Sequence, residues 1–572
     1  MIRINTQENP LLAAFKPVKS YFLYAILFSS AVNLLMLTPI LYMLLVYDRV
    51  VSSGSMETLL MLTLLVILLL VSSGAFEWTR GKLLIAANVR VEHALRDNVS
   101  KAASKLALST GNEAAGNLAM NDLMSLRQFV VGNGIISVMD APWVPLYIGL
   151  MFVFHSFFGV AAIIAAVVMI ILAIMTQKLT GESMAKASSM SRTAQNSFGS
   201  NLRNAEVVQG MGMWQNIQDK DSILFENASN EQASASATAA YLASISKSFR
   251  MLSQSLLLGL GAYLAINQQI SPGMMIAGSL LLGRALAPID MMVGNWKGFV
   301  EAKGQYTRIS DILRMYPADM ERLQLPSPNG SLDVQQLIVI PPGSNNPCLK
   351  GISFNLASGE ALGVIGPSAA GKTSLARAIL GVWPARAGTV RLDGADINKW
   401  DKNDLGPHLG YLPQDIELFT GTLADNICRF SRKDSEKIIE ASKTAGIHEM
   451  ILQLPEGYDT IISPSSGALS AGQRQRVGLA RAIYDEPSLI ILDEPNSNLD
   501  EQGERDLLSA LRKIKASGST IIVITHRTAI LSLVDKLLLV KDGVATNFGE
   551  RDAVLKDINS NVSKITKLPN KA

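Results

Sequence analysis

Residues 366–373 read GPSAAGKT, and this stretch decides the fold of the second half of the chain. The apolar run ALGVI precedes it and SLARAIL follows it, which is the strand–loop–helix order that a phosphate-binding P-loop requires. In such a loop the backbone N–H groups surround the phosphates, and the next helix directs its positive N-terminus at them. The pattern predicts a nucleotide-binding α/β domain built around this loop.

The side chains of the loop have expected parts in that site. We expect Lys372 to place a compact cation against the phosphates, and Thr373 to offer its hydroxyl to Mg²⁺. The other loop residues expected to contact the nucleotide are Gly366, Ser368, Ala370, Gly371 and Ser374. ATP and Mg²⁺ are therefore the predicted cofactors.

Residues 489–495 read LIILDEP, an apolar strand that ends in two carboxylates. A carboxylate at the end of such a strand can organise Mg²⁺, and a second can polarise the attacking water. We expect Asp493 to take the metal role and Glu494 the catalytic role.

Between these two motifs, residues 469–476 read LSAGQRQR, which resembles the signature of ABC transporter ATPases. The resemblance implies that Ser470, Gly472 and Gln473 begin a helix that faces the γ-phosphate held by a second subunit. In that family's geometry a signature does not reach its own P-loop. A homodimer that encloses two ATP molecules is therefore implied.

The resemblance extends to three shorter segments. It makes Gln414 in YLPQD a Q-loop residue, with catalytic and Mg²⁺-binding roles. His526 in IIVITH becomes the switch histidine, a catalytic residue, and Asp500 in SNLD (497–500) becomes the D-loop aspartate at the nucleotide. Their common order along the chain is what gives the resemblance its specificity.

The first half of the chain is much more apolar than the second. Hydrophobic residues make up 48% of the 572 and charged residues only 17%, and six stretches reach the roughly 20 residues that cross a bilayer. These stretches are 21–46, 57–77, 134–154, 157–176, 249–268 and 273–293, of which the third is interrupted by Asp140, Pro142 and Pro145. They predict an α-helical membrane domain of the ABC exporter type; a six-helix anchor without transport is the alternative.

Lysine and arginine residues set the expected orientation. The long gaps between the stretches carry many of them, such as Arg90 and Lys186, whereas the turns VSSGSMET, HSFFG and NQQISPG carry none. The long gaps, the N-terminus and the ATP-binding domain are therefore expected in the cytoplasm, with the chain crossing the membrane several times. A net charge of +3 argues against a nucleic-acid partner.

A closer resemblance covers the membrane half as well. The segments LYMLLVYDRV (41–50), MDAPWVPLYIGLMFVFHSFFG (139–159), AEVVQGMGMW (205–214), GRALAPID (283–290) and GYLPQDIELFTGTLADNI (410–427) resemble type I secretion permease/ATPases of the PrtD kind. This implies a multi-pass protein of the bacterial inner membrane that exports an unfolded RTX-type protein with a C-terminal signal. It also implies a periplasmic membrane-fusion adaptor and a TolC-type outer-membrane channel as partners.

The chain departs from the family's pattern at three places. Ala471 and Ala369 stand where the signature and the P-loop commonly have glycine. No aromatic residue occurs in LIVIPPGSNN (337–346), where the family commonly stacks the adenine, so Ile340 or Pro341 is expected to cover the base.

The expected domains are an N-terminal cytoplasmic segment (1–20), the membrane domain (21–320), a linker (321–330), the ATP-binding domain (331–556) and a polar tail (557–572). Among the ionisable residues near the membrane, Arg284 is the best candidate for a transport path because it lies deep within its stretch. An exporter of lipid, drug or peptide with the same ATPase remains the alternative function. A third hypothesis, an ATP-gated channel or regulator, is disfavoured because Glu494 and His526 are both present.

Overall fold

The computed structural model describes residues 11, 15–317, 325–463 and 469–557. They form two compact units: the described residues up to 107 and 112–317 belong to the first, and residues 108–111 and the described residues from 325 onward belong to the second. Of the expected linker only residues 325–330 are described, and of the N-terminal segment only 11 and 15–20. The expected tail lies outside the described residues except for residue 557.

The described part of the first unit consists of helices joined by turns and short loops. Its main helices are α1 Lys19–Leu35, α2 Thr38–Leu45, α3 Met56–Thr110, α4 Glu113–Val131, α5 Asn133–Asp140, α6 Val144–Phe154, α7 Ser156–Arg203, α8 Ala205–Gly210, α9 Trp214–Ile266, α10 Pro272–Gly294 and α11 Trp296–Met315. Six helical segments in the described chain are long and apolar enough to cross a membrane; they contain five of the predicted stretches in full and the stretch 249–268 as far as residue 266. The predicted helical membrane domain is therefore confirmed.

Three helices extend far beyond their apolar parts. Helices α3, α7 and α9 have 55, 48 and 53 residues, which is about 70–85 Å at 1.5 Å per residue. A bilayer core of about 30 Å accounts for less than half of that length. The remainder is the polar helical extension that the long gaps predicted.

Two of the six stretches are not single helices. The first breaks at Met36–Leu37, because Pro39 in the first turn of α2 supplies no N–H to the preceding helix. It then ends in a π-helical turn over Val46–Val50. The third changes to a 3-10 turn over Ala141–Trp143, at Pro142, where its prolines had indicated an interruption.

The second unit contains three sheets. Its strands are β1 Leu332–Val339, β2 Leu349–Leu356, β3 Ala361–Ile365, β4 Ala387–Leu392, β5 Ala395–Asp396, β6 Leu409–Leu412, β7 Gly421–Thr422, β8 Ile461–Ile462, β9 Leu489–Asp493, β10 Thr520–Ile524, β11 Lys536–Lys541 and β12 Val544–Glu550. Its helices are α12 Lys372–Ile379, α13 Lys402–Leu405, α14 Leu423–Ile427, α15 Ser435–Thr444, α16 His448–Leu452, α17 Ala471–Ile483, α18 Glu501–Ala516 and α19 Thr528–Leu531. The strand orders are β12-β11-β3-β10-β9-β6, β2-β1-β4-β5 and β7-β8.

The six-stranded sheet is parallel except for its edge strand β12. Strand β9 is buried along its whole length, because Leu489 and Ile491 pack into one apolar layer and Ile490 and Leu492 into the other. Such continuous apolar runs are typical of strands covered on both faces. Since ligands bind beyond the carboxyl ends of parallel strands, the order β3-β10-β9-β6 determines which loops meet at the site.

Candidate active site

The P-loop is a tight turn between β3 and α12 that tolerates side chains poorly at two glycines. A Cβ atom on Gly366, which has φ +155°, would lie 2.0 Å from the carbonyl oxygen of Val540. One on Gly371, with φ +100°, would lie 3.0 Å from the carbonyl oxygen of Cys348. Both positions need glycine because neighbouring backbone approaches so closely. The turn brings Lys372 to the first position of α12.

The Lys372 side chain is held inside its own loop. Its Nζ donates hydrogen bonds to the carbonyl oxygens of Gly366 at 2.8 Å and Pro367 at 3.0 Å. The residue is only 7% exposed. The cation is therefore already placed within the loop that receives phosphates, while Ser368 on the loop is exposed and Ser374 lies half-buried on α12.

Ala369 has a left-handed backbone, with φ +63°. This conformation is costly for residues other than glycine, because Cβ approaches the following carbonyl oxygen. The departure from the glycine common in the family is therefore a strained position in the loop.

Asp493 ends strand β9 and is almost completely buried, at 1% exposure. Neither carboxylate oxygen accepts a hydrogen bond within ordinary limits among the described residues. Burial raises the pKa of this carboxyl above its usual value, although the nearby Thr373 hydroxyl acts in the opposite direction. A buried carboxylate without partners, next to a threonine hydroxyl, is an oxygen donor set that suits a divalent cation.

Glu494 turns away from the strand immediately after Asp493. Its φ is +49°, and its N–H donates to the carbonyl oxygen of Ile524 at 2.9 Å. This left-handed turn separates the two carboxylates, so that one is buried while the Glu494 side chain keeps 29% of its exposure. Of the two carboxylates, only that of Glu494 is accessible to a water molecule.

The other two candidate catalytic side chains, those of Gln414 and His526, converge on Glu494. The amide of Gln414 donates to one carboxylate oxygen at 3.1 Å, and His526 Nε2 lies 3.7 Å from the other. The sheet order explains this meeting, because Gln414 follows β6 and His526 follows β10, the two neighbours of β9. Each residue comes two positions after the end of its strand.

The signature segment begins α17 with a reciprocal capping box. The N–H of Gln473 donates to the Ser470 hydroxyl at 3.3 Å, and the N–H of Ser470 donates to the Gln473 side chain at 2.8 Å. This arrangement satisfies two backbone donors at the start of the helix. Ala471 is the first helical residue and is exposed, so its methyl group meets no steric obstacle from the local backbone.

The signature also approaches the segment that follows β9. A Cβ atom on Gly472 would lie 2.9 Å from the carbonyl oxygen of Asn498. Asp500 caps α18 by accepting from the Gly503 N–H at 2.8 Å, and lies 3.6 Å from Arg476. Within the described residues, no hydrogen bond joins the signature or Asp500 to residues 366–374.

Ile340 follows strand β1 directly and is half-buried, like Pro341. Cys348 donates its N–H to the Val339 carbonyl oxygen at 2.9 Å, and a Cβ atom on P-loop residue Gly371 would lie 2.8 Å from the Leu349 side chain and 3.0 Å from the Cys348 carbonyl oxygen. This chain of contacts puts the end of β1 beside the P-loop. Ile340 and Pro341, half-buried at this end, are therefore the candidates to cover an adenine beside the loop.

Gln475 is a site residue that the sequence reasoning missed. It is 2% exposed, its amide donates to the carbonyl oxygen of Pro495, and its Oε1 accepts from the Asn498 N–H at 3.0 Å. Its side chain thus joins the signature helix to the turn after Glu494. The available signal was a single glutamine in a buried stripe of α17 that otherwise holds Gly478, Leu479 and Ala482.

Two family descriptions match the chain: "ABC transporter" over residues 349–497 and "ABC transporter transmembrane region" over 22–287. The type I secretion system ATP-binding protein PrsD of Rhizobium meliloti is 42% identical over 96% of this chain and 94% of its own length. The cyclolysin secretion/processing ATP-binding protein CyaB of Bordetella pertussis is 27% identical over 91% of this chain and 74% of its own.

The structure of a bacterial Atm1-family ABC exporter with ATP bound superposes with a TM-score of 0.77. It covers 97% of this chain and 99% of that one at 19% identity, which shows a shared fold. The resemblance predicted from the motifs is thereby confirmed, and the α/β unit is the ATPase domain of an exporter. The chain belongs to the ABC transporters of type I secretion systems.

Proposed function

We propose that this chain exports an unfolded protein with a C-terminal signal from the cytoplasm across the inner membrane, driven by ATP. The observation that carries the ATPase part is the convergence of Gln414 and His526 on the Glu494 carboxylate. The secretion relatives support the cargo part, since their names record a type I secretion system and cyclolysin secretion.

In the proposed mechanism Glu494 orients and polarises the attacking water. The Gln414 amide and the His526 ring approach different oxygens of its carboxylate, so both oxygens are fixed in direction. Lys372 exchanges the carbonyl oxygens of its own loop for phosphate oxygens. Prearranged charge of this kind stabilises phosphoryl transfer without reorganisation at the moment of reaction.

Asp493 and Thr373 would hold Mg²⁺, with Gln414 as a further oxygen donor. The fit rests on the two Asp493 oxygens, which are buried and lack hydrogen bonds among the described residues. A bound Mg²⁺ supplies charge neutralisation at the phosphates. The buried carboxylate contributes the compensating negative charge.

The proposed assembly is a homodimer, because each chain has one P-loop and one signature that do not meet within it. By the resemblance to type I secretion exporters, its further partners are a periplasmic membrane-fusion adaptor and a TolC-type outer-membrane channel. The proposed cargo is an RTX-type protein, which crosses unfolded because a folded 100-residue domain has a radius of gyration of about 13 Å. No nucleic acid is expected to bind.

The ATPase is tested by Glu494→Gln in the purified full-length exporter. This variant should bind ATP but hydrolyse it at least ~100-fold more slowly, about 2.7 kcal/mol of barrier. Glu440→Gln, at an exposed position of α15, is the matched control and should keep full activity. Near wild-type hydrolysis in Glu494→Gln would remove Glu494 from the catalytic role.

The cargo is tested by comparing proteins secreted by wild-type cells and by Lys372→Ala cells. We expect one or a few large repeat proteins to remain intact inside the mutant. If the two sets of secreted proteins match and the mutant accumulates a lipid or small molecule instead, the lipid, drug or peptide exporter replaces the present proposal.

A further inference from the structure

Arg284 is a charged residue at the middle of a membrane-spanning helix. Helix α10 has 23 residues, about 34 Å, which is close to the thickness of the hydrocarbon core. Twelve residues, about 18 Å, separate Arg284 from Pro272, and ten, about 15 Å, separate it from Gly294. Almost three helical turns lie between Arg284 and the nearer helix end, farther than its side chain extends.

Arg284 is also exposed, although most of α10 around it is not. Leu281, Ala285 and Leu286 are fully buried, whereas Leu280, Arg284 and Met291 form an exposed stripe at helical spacing. The stripe is apolar except for the one guanidinium group. It is a single face of α10 that the described chain leaves uncovered.

No carboxylate of the described chain pairs with Arg284. Four described acids in or next to the apolar stretches already have partners. Asp140 accepts from Ser29 and Asn33, Asp290 lies 3.1 Å from Arg250, and Glu77 lies 3.6 Å from Arg80. Asp48 accepts from the Ser271 hydroxyl and the Gly273 N–H at the start of α10, far from the depth of Arg284. A second copy of this chain would therefore bring none of these four carboxylates free to neutralise the cation.

Lipid is excluded as the environment of this face, because a charge at the bilayer centre is strongly unfavourable and Arg284 cannot reach the interface. With lipid excluded and no acid left to pair with it, water is the environment that remains. An intramembrane charge that faces a water-filled cavity is the arrangement found in transport pathways.

We propose that Arg284 lines the water-filled conduit of the exporter and acts as an electrostatic barrier to Na⁺ and H⁺ leakage. In a homodimer both copies of the residue face the conduit at the same depth. Fixed positive charge at a constriction repels cations. The cell thereby keeps its ion gradients while the conduit admits a bulkier cargo, whatever that cargo is.

The test uses the purified full-length exporter in liposomes that contain a Na⁺-sensitive and a Cl⁻-sensitive dye, with ATP supplied outside. The variants are Arg284→Met, which removes the charge, Arg284→Glu, which inverts it, and Arg284→Lys, which keeps it. Arg203→Met removes an exposed cation at the end of α7, outside the apolar stretches, and is the matched control. ATPase activity and elution as a dimer establish that each variant is assembled.

We expect Arg284→Met to raise the ratio of Na⁺ to Cl⁻ flux at least about tenfold, equivalent to ~1.4 kcal/mol. Arg284→Glu should raise it further, while Arg284→Lys and Arg203→Met should match the wild type. An unchanged ratio in assembled, active Arg284→Met would overturn the proposal. Loss of the dimer in that variant would also overturn it, because Arg284 would then serve the subunit contact.

Discussion

Replacing Asp493 by asparagine should stabilise the ATP-binding domain without nucleotide and abolish its response to Mg²⁺. The carboxylate is 1% exposed and its oxygens have no hydrogen bonds among the described residues. Burial outweighs the partial compensation from Thr373, Arg377 and Lys372, and an incompletely compensated buried charge costs several kcal/mol, while the asparagine amide would still lack about 1–3 kcal/mol of hydrogen bonding. The free energy of unfolding of Asp493→Asn should therefore exceed that of the wild type by about 1–3 kcal/mol, or roughly 2–12 °C in Tm for a domain of this size.

The pH dependence has a definite sign. Burial raises the pKa of Asp493 above its ordinary value of 3.8, so the folded domain binds a proton more tightly than the unfolded chain does. This contribution to stability is present at low pH and is lost as the pH rises through the folded-state pKa. The advantage of Asp493→Asn over the wild type should therefore grow from pH 4 towards pH 7.

The two cysteines allow unfolding of the ATP-binding domain to be measured separately within the full-length exporter. Cys348 is half-buried and Cys428 is fully buried, so a thiol-reactive fluorescent dye reports unfolding of the ATP-binding domain on heating. With Mg·ATP at 100 times its Kd the wild type should gain about 2.7 kcal/mol. Asp493→Asn should lose most of the stabilisation by ATP that depends on Mg²⁺.

Thr373→Val is the matched control, because it removes a metal-binding oxygen and keeps the buried charge. It should lose the response to Mg²⁺ without any rise in Tm in the absence of nucleotide. If Asp493→Asn unfolds at or below the wild-type temperature across this pH range, the carboxylate is not an uncompensated charge and the reasoning fails.

Gln475→Leu should leave the Pro495 carbonyl and the Asn498 N–H unsatisfied at roughly 1–3 kcal/mol each, lowering Tm and ATPase activity together; an unchanged rate would separate this contact from catalysis. Ala471→Gly should raise ATPase activity if the exposed methyl crowds the partner's γ-phosphate, and an unchanged or lower rate would show that the site accommodates alanine. With no aromatic at the adenine position, GTP should compete with ATP within about tenfold, or ~1.4 kcal/mol, and Ile340→Tyr should tighten ATP binding. A competition titration in which GTP binds more than a hundredfold more weakly than ATP would contradict the expectation that the two nucleotides compete within tenfold.

The P-loop and the acid strand could be predicted because each is one short, continuous segment of the chain. The apolar run of β9 marks a strand covered on both faces, and the order of glycines, lysine and threonine marks the loop. The backbone that requires Gly366 and Gly371 lies far away in sequence, at Val540 and Cys348, and the structure was needed to show it. The six apolar stretches were predictable for a similar reason, since bilayer thickness sets their length.

Other features depend on contacts that sequence spacing does not record. Gln475 reaches a turn twenty residues away, and its position follows from how α17 packs, rather than from its neighbours in sequence. The break at Met36–Leu37 inside an apolar run was not expected either. Pro39 was the signal, but hydropathy alone describes one uninterrupted span.

The Gln475 contact bears on how this exporter can change during evolution. In the proposed homodimer one ATP site would use the P-loop and Glu494 of one chain with the signature of the other, so each chain would supply the signature helix to one site and the catalytic acid to the second. Hydrogen bonds from the Gln475 side chain join the signature helix α17 to the turn after Glu494. A substitution that shifts the signature helix therefore alters both sites at once. Two chains would have to diverge after gene duplication before one site could lose hydrolysis while the other kept it.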